Sequence, residues 1–221
     1  MNCSAWAPNR FNFRTYLECS EKRYLMALSM LGGVEHLGKF CDVGGFFGAF
    51  PLALGRLGVD VCMTETLSYY SNSFCHLFEY LVDQGIKIID WDPFSTSIST
   101  QTGTYNFDTV TLMAVLEHYP HSPKNLMRHV SELLVNRGTL LIEVPNLASW
   151  PRRAALLRGK SPLPDIATKW TSAIPFIGHH HEYTLSHLQQ LISLSGLTIR
   201  ELRCFDYSLV APFFNRLLTN P

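Results

Sequence analysis

The sequence has no excess of charge of either sign. Lysine plus arginine and aspartate plus glutamate each number 18 in 221 residues, so the formal net charge is zero at neutral pH. A chain without net charge generates no long-range field that would draw a polyanion toward it. We therefore disfavour nucleic acid as a partner, because a polyanion would need a local basic patch.

The sequence also lacks the segments that carry a chain into or across a membrane. Its opening residues, MNCSAWAPNRFNFR, contain no apolar stretch of the kind found in secretory signals. No later segment approaches the roughly 20 apolar residues that cross a bilayer. The six cysteines include no CxxC pair, and Cys41 and Cys62 lie in apolar runs typical of buried strands. We therefore expect a cytoplasmic protein with reduced cysteines.

What the sequence does contain is an alternation of strand-like and helix-like segments. Apolar runs predict strands at 39–43, 59–65, 86–90, 107–113, 139–146 and 197–205. Periodic apolar residues predict helices at 14–31, 49–58, 69–84, 122–136 and 184–196. With 47% hydrophobic residues, the chain can bury one large core. The alternation predicts a single α/β domain with a Rossmann-like, doubly wound, mostly parallel sheet.

The most informative turn is CDVGGFFGAF, residues 41–50, where a predicted strand leads into a helix. In doubly wound sheets, ligands bind at the carboxyl ends of the strands. A dinucleotide-binding turn has the spacing GxGxxG, whereas Gly44, Gly45 and Gly48 follow the spacing GGxxG. Asp42 precedes the turn, and its carboxylate would repel a pyrophosphate. A nicotinamide-dependent oxidoreductase is therefore a weaker alternative.

Acidic residues stand at the ends of three successive predicted strands. Asp42 ends the first strand, Glu65 ends the second, and Asp92 follows the third. A carboxylate at the position of Glu65 can accept hydrogen bonds from both hydroxyls of a ribose. Asp92 is explained equally well as an ordinary turn residue, but buried acids such as Asp42 and Glu65 need partners. The three positions predict one acidic crevice.

Five segments occur in an order that is typical of one enzyme family. They are DVGGFFG (42–48), VCMTE (61–65), IIDWDPF (88–94), FDTVTLMAVLEH (107–118) and RGTLLIEVPN (137–146). In this order they resemble the class I S-adenosylmethionine-dependent methyltransferases, especially the small-molecule and sugar-type group. The segment HHHEYTLSHLQQLISLSGL (179–197) is similar to a helix with an HxxEYT start found in many of these enzymes. The resemblance implies S-adenosylmethionine as the cofactor.

The resemblance also implies a role for each matching residue around the cofactor. Asp42 and the loop residues would meet the methionyl part, Glu65 the ribose and Asp92 the adenine. The loop residues in question are Gly44, Gly45, Phe46 and Gly48. Met113 and Ala114 would line the methyl-donor pocket. Phe46 departs from the family pattern, which usually has a glycine at that position.

The expected organisation is one methyltransferase domain over residues 1–221. Residues 1–33 would form a helical cap, 34–146 the cofactor-binding core, 147–178 an insertion or lid, and 179–221 a C-terminal helix and strand. The family normally closes its sheet with an antiparallel strand, but the final segment APFFNRLLTNP shows no convincing one. A sheet without that strand is therefore one alternative for the fold.

The function that we expect is methyl transfer to a small molecule or a glycan, with oxygen as the acceptor atom. Because the reaction is an in-line displacement from a sulfonium, it needs no covalent nucleophile. A hydroxyl acceptor is helped by a general base, and His118 and His179 are the candidates. His118 is equally compatible with a structural role. The alternative function, suggested by Phe46, is a catalytically inactive binding or scaffold protein.

A metal ion is a further alternative for the same histidines. Glu117, His118 and His179 resemble the E-x-x-E-H plus distant histidine that holds a divalent ion in small-RNA 2′-O-methyltransferases and some quinone O-methyltransferases. Here the position of the first glutamate is Ala114. Because one ligand is missing, we expect no metal in the site.

Overall fold

The computed structural model describes residues 12–93, 105–163, 165–172, 176 and 178–205. These residues form a sheet of five strands with helices on both faces. The strands are β1 (Phe40–Val43), β2 (Val61–Glu65), β3 (Lys87–Asp90), β4 (Phe107–Met113) and β5 (Leu134–Glu143). The α-helices are α1 (Phe13–Met30), α2 (Ala49–Arg56), α3 (Cys75–Asp83), α4 (Pro123–Glu132), α5 (Trp150–Leu157), α6 (Ile166–Trp170) and α7 (Leu185–Leu194).

The sheet has the order β3-β2-β1-β4-β5, and every neighbouring pair is parallel. The chain moves outward from β1 to β3 and then returns to place β4 on the other side of β1. This reversal creates a crevice at the carboxyl ends of β1 and β4, which is where ligands bind in sheets of this kind. The predicted Rossmann-like, doubly wound fold is confirmed.

Two apolar clusters flank the sheet and explain why its central strands are continuous apolar runs. One cluster joins Val110 and Leu112 of β4 to residues of α4 and α7, such as Leu126 and Leu188. The other joins residues of β1 and β2, such as Phe40, to α1, α2 and α3. All four residues of β1 are buried, as expected for a strand covered on both faces.

The helix starts follow ordinary capping chemistry. The side chain of Asn12 accepts a hydrogen bond from the backbone N–H of Thr15 at the start of α1 (3.1 Å). At the start of α7, the hydroxyl of Thr184 accepts from the backbone N–H of His187 (3.3 Å). These bonds satisfy donors that the first turn of a helix leaves unpaired. Thr184 is therefore the N-cap residue of α7.

Two predicted elements are present with bounds that differ from those expected. The expected helix at 69–84 is broken into two short 3₁₀ turns, Leu67–Tyr69 and Asn72–Phe74, before α3 begins. Strand β5 begins at Leu134 instead of residue 139, and an irregularity in its pairing with β4 absorbs the extra length. A left-handed backbone at Arg137 (φ 66°) lies within this part of β5.

The predicted strand over residues 197–205 is wrong. These residues form no strand in the described part of the chain, and Ile199 and Leu202 remain 41% and 38% exposed. An apolar alternation predicts a strand only where a partner strand buries one face. The antiparallel closing strand would fall in residues 206–221, which lie outside the described residues. Among the described helices, none is long and apolar enough to cross a membrane.

Candidate functional site

An open cavity of about 300 Å³ lies at the carboxyl edge of the sheet, where the strand order reverses. Its walls come from the ends of β1, β2 and β4, from the turn after β3, and from α1. The lining residues are Tyr16, Arg23, Tyr24, Asp42, Gly44, Gly45, Phe46, Thr64, Glu65, Thr66, Tyr69, Tyr70, Trp91, Pro93, Met113, Ala114, Val115 and His118. Two of the carboxylates predicted at strand ends therefore face one ligand-sized space.

The cavity brings together seven of the nine residues predicted to bind the cofactor. The seven are Asp42, Gly44, Gly45, Phe46, Glu65, Met113 and Ala114. Gly48 does not line the cavity, because it begins α2 and packs against Leu81, whose Cδ1 atom would lie 2.5 Å from an added Cβ. Asp92 does not line it either, although its neighbours Trp91 and Pro93 do.

The glycine-rich loop approaches the end of β4 so closely that Gly44 has no room for a side chain. A Cβ on Gly44 would lie 2.6 Å from a methyl carbon of Val115. The backbone of Gly44 is also left-handed (φ 69°), a conformation in which glycine is free of strain. The loop thereby brings its backbone to the cavity wall.

Phe46 stands at the position that resembles a glycine of the family pattern, and its backbone is left-handed (φ 54°). Its backbone N–H donates to Glu65 Oε2 (2.7 Å), and its ring lies 5.4 Å from the ring of Tyr16, edge to face. These contacts offset a strain of about 1 kcal/mol. The next residue, Phe47, is buried and stacks on Phe74. Phe46 therefore borders the cavity, whereas Phe47 belongs to the supporting core.

Glu65 is held at the end of β2 by three donors. Its carboxylate accepts from the backbone N–H groups of Phe46 (2.7 Å) and Thr66 (3.2 Å), and from the Tyr70 hydroxyl. Burial raises the pKa of this carboxyl to about 7, while the three hydrogen bonds act in the opposite direction. Glu65 therefore has a fixed orientation at the cavity wall and titrates near neutrality.

Asp42 is the most deeply buried acid of the cavity. It is 3% exposed, and the hydroxyl of Thr111 on β4 donates to its Oδ1 atom (2.6 Å). Burial raises the pKa of Asp42 to about 7, although the Thr111 bond and the charge of Arg23 favour the ionised form. An ionised Asp42 can attract a cationic ligand group, and a protonated Asp42 cannot.

Arg23 of α1 is a cavity residue that the sequence did not single out. Its Nε and Nη2 atoms donate to Glu143 Oε2 at the end of β5 (3.0 and 2.6 Å). The two side chains are 9% and 11% exposed, so the pair is largely removed from water. The available signal was an arginine on the same helix face as the buried Ser20 and Ala27. This ion pair fixes α1 across the carboxyl edge of the sheet.

The candidate histidines meet at one end of the cavity. His118 lines the cavity, and His179 lies behind it, with ring centroids 4.7 Å apart and nearly perpendicular. The backbone N–H groups of His180 and His181 donate to the carbonyl oxygen of Glu117 (2.7 and 3.2 Å). These bonds attach the histidine run to the turn that follows β4, so residues distant in sequence become neighbours.

The ring of His179 is oriented by a carboxylate on its far side. Its Nδ1 atom lies 2.9 Å from Glu182 Oε1, and Glu182 is paired with Arg152 of α5. With an ionised Glu182 as acceptor, Nδ1 carries the proton and Nε2 presents a lone pair. Burial, reinforced by the charges of His118 and Arg152, lowers the pKa of His179 to about 4. His179 is therefore neutral near pH 7.

Glu117 lies between these histidines and the core. It is 1% exposed, and among the described residues neither of its carboxylate oxygens has a hydrogen-bond partner, although Oε1 lies 4.0 Å from His179 Nε2. Burial raises its pKa to about 7, and Glu143 adds to this effect. One ligand atom each from Glu117, His118 and His179 lies within 4.8 Å of the others, a spacing that a metal ion could bridge. The arrangement can accept a proton or hold a cation.

Comparison with known families gives one match that spans most of the chain. Residues 13–202 match the family described as "Methyltransferase domain". No protein with a curated description matches the sequence.

Solved structures resemble the fold at low sequence identity. An S-adenosylmethionine-dependent methyltransferase of Thermotoga maritima is 15% identical, with a TM-score of 0.52, over 83% of this chain and 75% of that one. Magnesium protoporphyrin IX methyltransferase of Synechocystis PCC 6803, solved with bound S-adenosylhomocysteine, is 17% identical with a TM-score of 0.54, over 84% and 78%. An O-methyltransferase family protein of Burkholderia thailandensis is 14% identical with a TM-score of 0.58, and the match spans 87% of this chain and 55% of that one.

Proposed function

Because the chain belongs to the methyltransferase-domain family of S-adenosylmethionine-dependent enzymes, we propose that it methylates an oxygen atom of a small molecule or glycan. The observation that carries this proposal is the cavity itself. Its lining combines carboxylates at two strand ends with the imidazole of His118. The carboxylates of Asp42 and Glu65 could bind a cationic cofactor in this cavity, and the imidazole of His118 could accept the proton of a hydroxyl acceptor.

The proposed cofactor contacts follow from the charge and position of each group. Glu65 would accept hydrogen bonds from the ribose hydroxyls, and Asp42 would attract the ammonium group of the methionyl part. The glycine-rich loop would let the cofactor approach the same end closely, because Gly44 carries no side chain there. Met113 and Ala114 would line the space around the sulfonium. Asp92 would meet the adenine, because its neighbours Trp91 and Pro93 place the turn after β3 at the cavity wall.

The bound cofactor supplies an electrophilic methyl carbon on a sulfonium, which the acceptor oxygen displaces in line. The residues of the chain would align the acceptor, exclude water and take up its proton. His118 would accept this proton at the cavity wall. His179 would support His118, because Glu182 holds the His179 ring with its centroid 4.7 Å from that of His118. A general base of this kind contributes roughly 10² to 10⁴ in rate.

The acceptor would enter next to the insertion at residues 147–178. Arg152 of α5 pairs with Glu182, and the backbone N–H of Leu147 donates to the carbonyl of Tyr183 (2.8 Å). These contacts attach the insertion to Glu182 and Tyr183, which follow His179 directly in the chain. We therefore propose that this segment acts as a lid and, together with α1, determines which acceptor is methylated.

The test is methyl transfer from a labelled donor to a panel of hydroxyl, glycan and amine acceptors, followed by mass spectrometry. We expect transfer to a hydroxyl, and we expect His118→Ala to lower kcat by about 100-fold with little change in KM for the donor. His76→Ala is the matched control, because His76 lies on α3 with its side chain 94% exposed. Transfer to amines alone would contradict the assignment of oxygen.

A divalent ion at Glu117, His118 and His179 is a second way to activate the hydroxyl. The unpartnered carboxylate of Glu117 favours it, whereas the missing acid at Ala114 disfavours it. We propose the metal-free route. Activity that survives dialysis against a chelator supports this route, and activity restored only by added Mn²⁺ contradicts it. In the second case, Glu117→Gln should also abolish Mn²⁺ binding measured by calorimetry.

A binding or scaffold role is the alternative from another class, and Phe46 is the observation that favours it. Its N–H already donates to Oε2 of Glu65 (2.7 Å), one of the two oxygens of the carboxylate proposed to bind the ribose. A folded chain that binds neither S-adenosylmethionine nor S-adenosylhomocysteine would favour this alternative over catalysis.

A further inference from the structure

A second cavity lies at the opposite edge of the sheet from the proposed cofactor site. It has a volume of about 200 Å³, and its lining includes Lys39, Asp60, Cys62 and Lys87. Lys39 immediately precedes β1, Asp60 immediately precedes β2, and Lys87 is the first residue of β3. The cavity therefore opens at the amino ends of the strands, and the methyltransferase chemistry proposed above makes no use of it.

Two cysteines face each other across β1 and β2 beside this cavity. Cys41 and Cys62 are partners in the parallel register, so their side chains lie on the same face of the sheet. Neighbouring strands lie about 4.8 Å apart, within the range of roughly 4.4–6.8 Å that a disulfide requires between Cα atoms. The Cα spacing expected for a register pair therefore falls within the range of a disulfide.

The two thiols differ in access. Both are buried, but Cys62 is 4% exposed and lines the cavity, whereas Cys41 is 0% exposed and does not line it. A small reagent in the cavity can thus reach the sulfur of Cys62 first. The sulfur of Cys41 is reached only through Cys62, which is the arrangement of an attacking thiol and a resolving thiol.

The surroundings of the cavity also differentiate the pair chemically. The neighbouring Cys41 thiol is the largest cause that lowers the pKa of Cys62, and the charges of Lys87 and Lys39 act in the same direction. Burial and the charge of Asp60 oppose them, but the pKa of Cys62 is lowered on balance. Burial raises the pKa of Cys41. The ammonium group of Lys87 is also paired with Asp60 (3.1 Å), which keeps it near the cavity. Cys62 is therefore the better nucleophile of the two.

We propose that Cys41 and Cys62 form an oxidation site in which a small hydroperoxide is the reagent. The Cys62 thiolate attacks one peroxide oxygen, the O–O bond breaks, and the products from hydrogen peroxide are a sulfenic acid and hydroxide. The Cys41 sulfur then attacks the Cys62 sulfur. Water leaves with the Cys41 proton, and a disulfide joins β1 to β2. Two sulfur atoms are oxidised by two electrons in total, and one peroxide is reduced.

The experiment uses the full chain, treated with hydrogen peroxide and digested by trypsin without reductant. Cleavage after Lys39, Arg56 and Lys87 leaves Cys41 in peptide 40–56 and Cys62 in peptide 57–87. The second peptide also contains Cys75, so the background chain carries Cys75→Ser and Cys204→Ser, which remove two exposed thiols. We expect the two peptides to be joined, with the loss of two hydrogens.

Two variants of this background separate the roles of the two thiols. In Cys41→Ser, the sulfenic acid of Cys62 should persist and be trapped by dimedone. In Cys62→Ser, Cys41 should remain an unmodified thiol, because the reagent no longer has an accessible sulfur in the cavity. Circular dichroism of both variants checks that they fold. The peptide map of the Cys75→Ser, Cys204→Ser background tests disulfide formation even if a variant fails to fold.

Two outcomes would overturn the proposal. One is a native chain in which Cys41 and Cys62 remain thiols under conditions that oxidise Cys75 and Cys204 of the unsubstituted protein. The other is oxidation of the pair only in urea, which would show that the folded cavity does not admit the reagent. Both outcomes are independent of methyl transfer, so they leave the proposed enzymatic function unaffected.

Discussion

Phe46 carries a side chain at a position where the backbone is left-handed. The structure balances this strain with the hydrogen bond to Glu65 and with aromatic packing against Tyr16. Replacing the residue by glycine or by alanine removes the ring in both cases, but only alanine keeps a Cβ in the strained conformation.

We therefore expect Phe46→Gly to be more stable than Phe46→Ala by about 1 kcal/mol. Both variants should be less stable than the natural chain, because each loses the aromatic contacts of the ring. Urea unfolding of the three proteins measures these differences. If the alanine variant were as stable as the glycine variant, the left-handed backbone at this position would be refuted.

Three buried carboxyl groups link the stability of the ligand-free protein to pH. Burial raises the pKa of Asp42, Glu65 and Glu117 to about 7 in each case. In the unfolded chain such groups titrate near pH 4. Between these values the folded chain binds more protons than the unfolded chain, so its stability falls as pH rises. The stability that these three carboxyl groups contribute is fully present below about pH 4 and is lost as the pH rises through about 7.

We expect the free energy of unfolding of the ligand-free protein to be higher at pH 5 than at pH 8. Glu117→Gln should reduce this difference, because the amide does not have to ionise in the buried site. Glu79→Gln is the control, since the side chain of Glu79 is 69% exposed on α3. Urea titrations at both pH values measure the effect. An equal pH dependence in the natural chain and Glu117→Gln would contradict the burial of a protonated Glu117.

At the scale of elements, α1 is the part of the fold that closes the proposed cofactor cavity. Its attachment depends on the largely buried pair Arg23 and Glu143, which joins the helix to the end of β5. Removing one partner of such a pair leaves the other charge in a low-dielectric site without compensation. Removing both partners avoids that cost.

Arg23→Ala is expected to destabilise the protein by about 3 kcal/mol, and Glu143→Ala by a similar amount. The double variant should cost less than the sum of the two, because neither charge is left alone. Arg14→Ala, at an exposed position of the same helix, should change stability by no more than about 0.5 kcal/mol. Thermal and urea unfolding of the four variants test this. Strict additivity in the double variant would contradict the ion pair.

At the scale of the whole molecule, the sequence predicted what local patterns determine. Strand and helix periods gave the order of elements, and acids at strand ends identified Asp42 and Glu65 because parallel strands end at one edge. Those two residues do line one cavity. The glycine spacing likewise indicated a ligand loop that was not a dinucleotide turn.

Features that depend on how elements pack were beyond the sequence. The rotation of α1 about its axis turns Arg23 toward the edge of the sheet. The helical period of the sequence does not show that its partner there is Glu143. The strand predicted at 197–205 failed because its alternating pattern says nothing about a neighbour to pair with. The sequence did not predict the contact between His179 and Glu182. The two residues lie three positions apart in a loop, but only the folded backbone turns the His179 ring toward the Glu182 carboxylate.

The most direct test of the cofactor site is calorimetric titration with S-adenosylhomocysteine. The account predicts that the natural chain binds it and that the double variant Asp42→Ala, Glu65→Ala binds at least about tenfold more weakly, since it loses two charged acceptors. Glu79→Ala, at an exposed site, should bind like the natural chain. Equal affinity in the natural chain and the double variant would contradict the account.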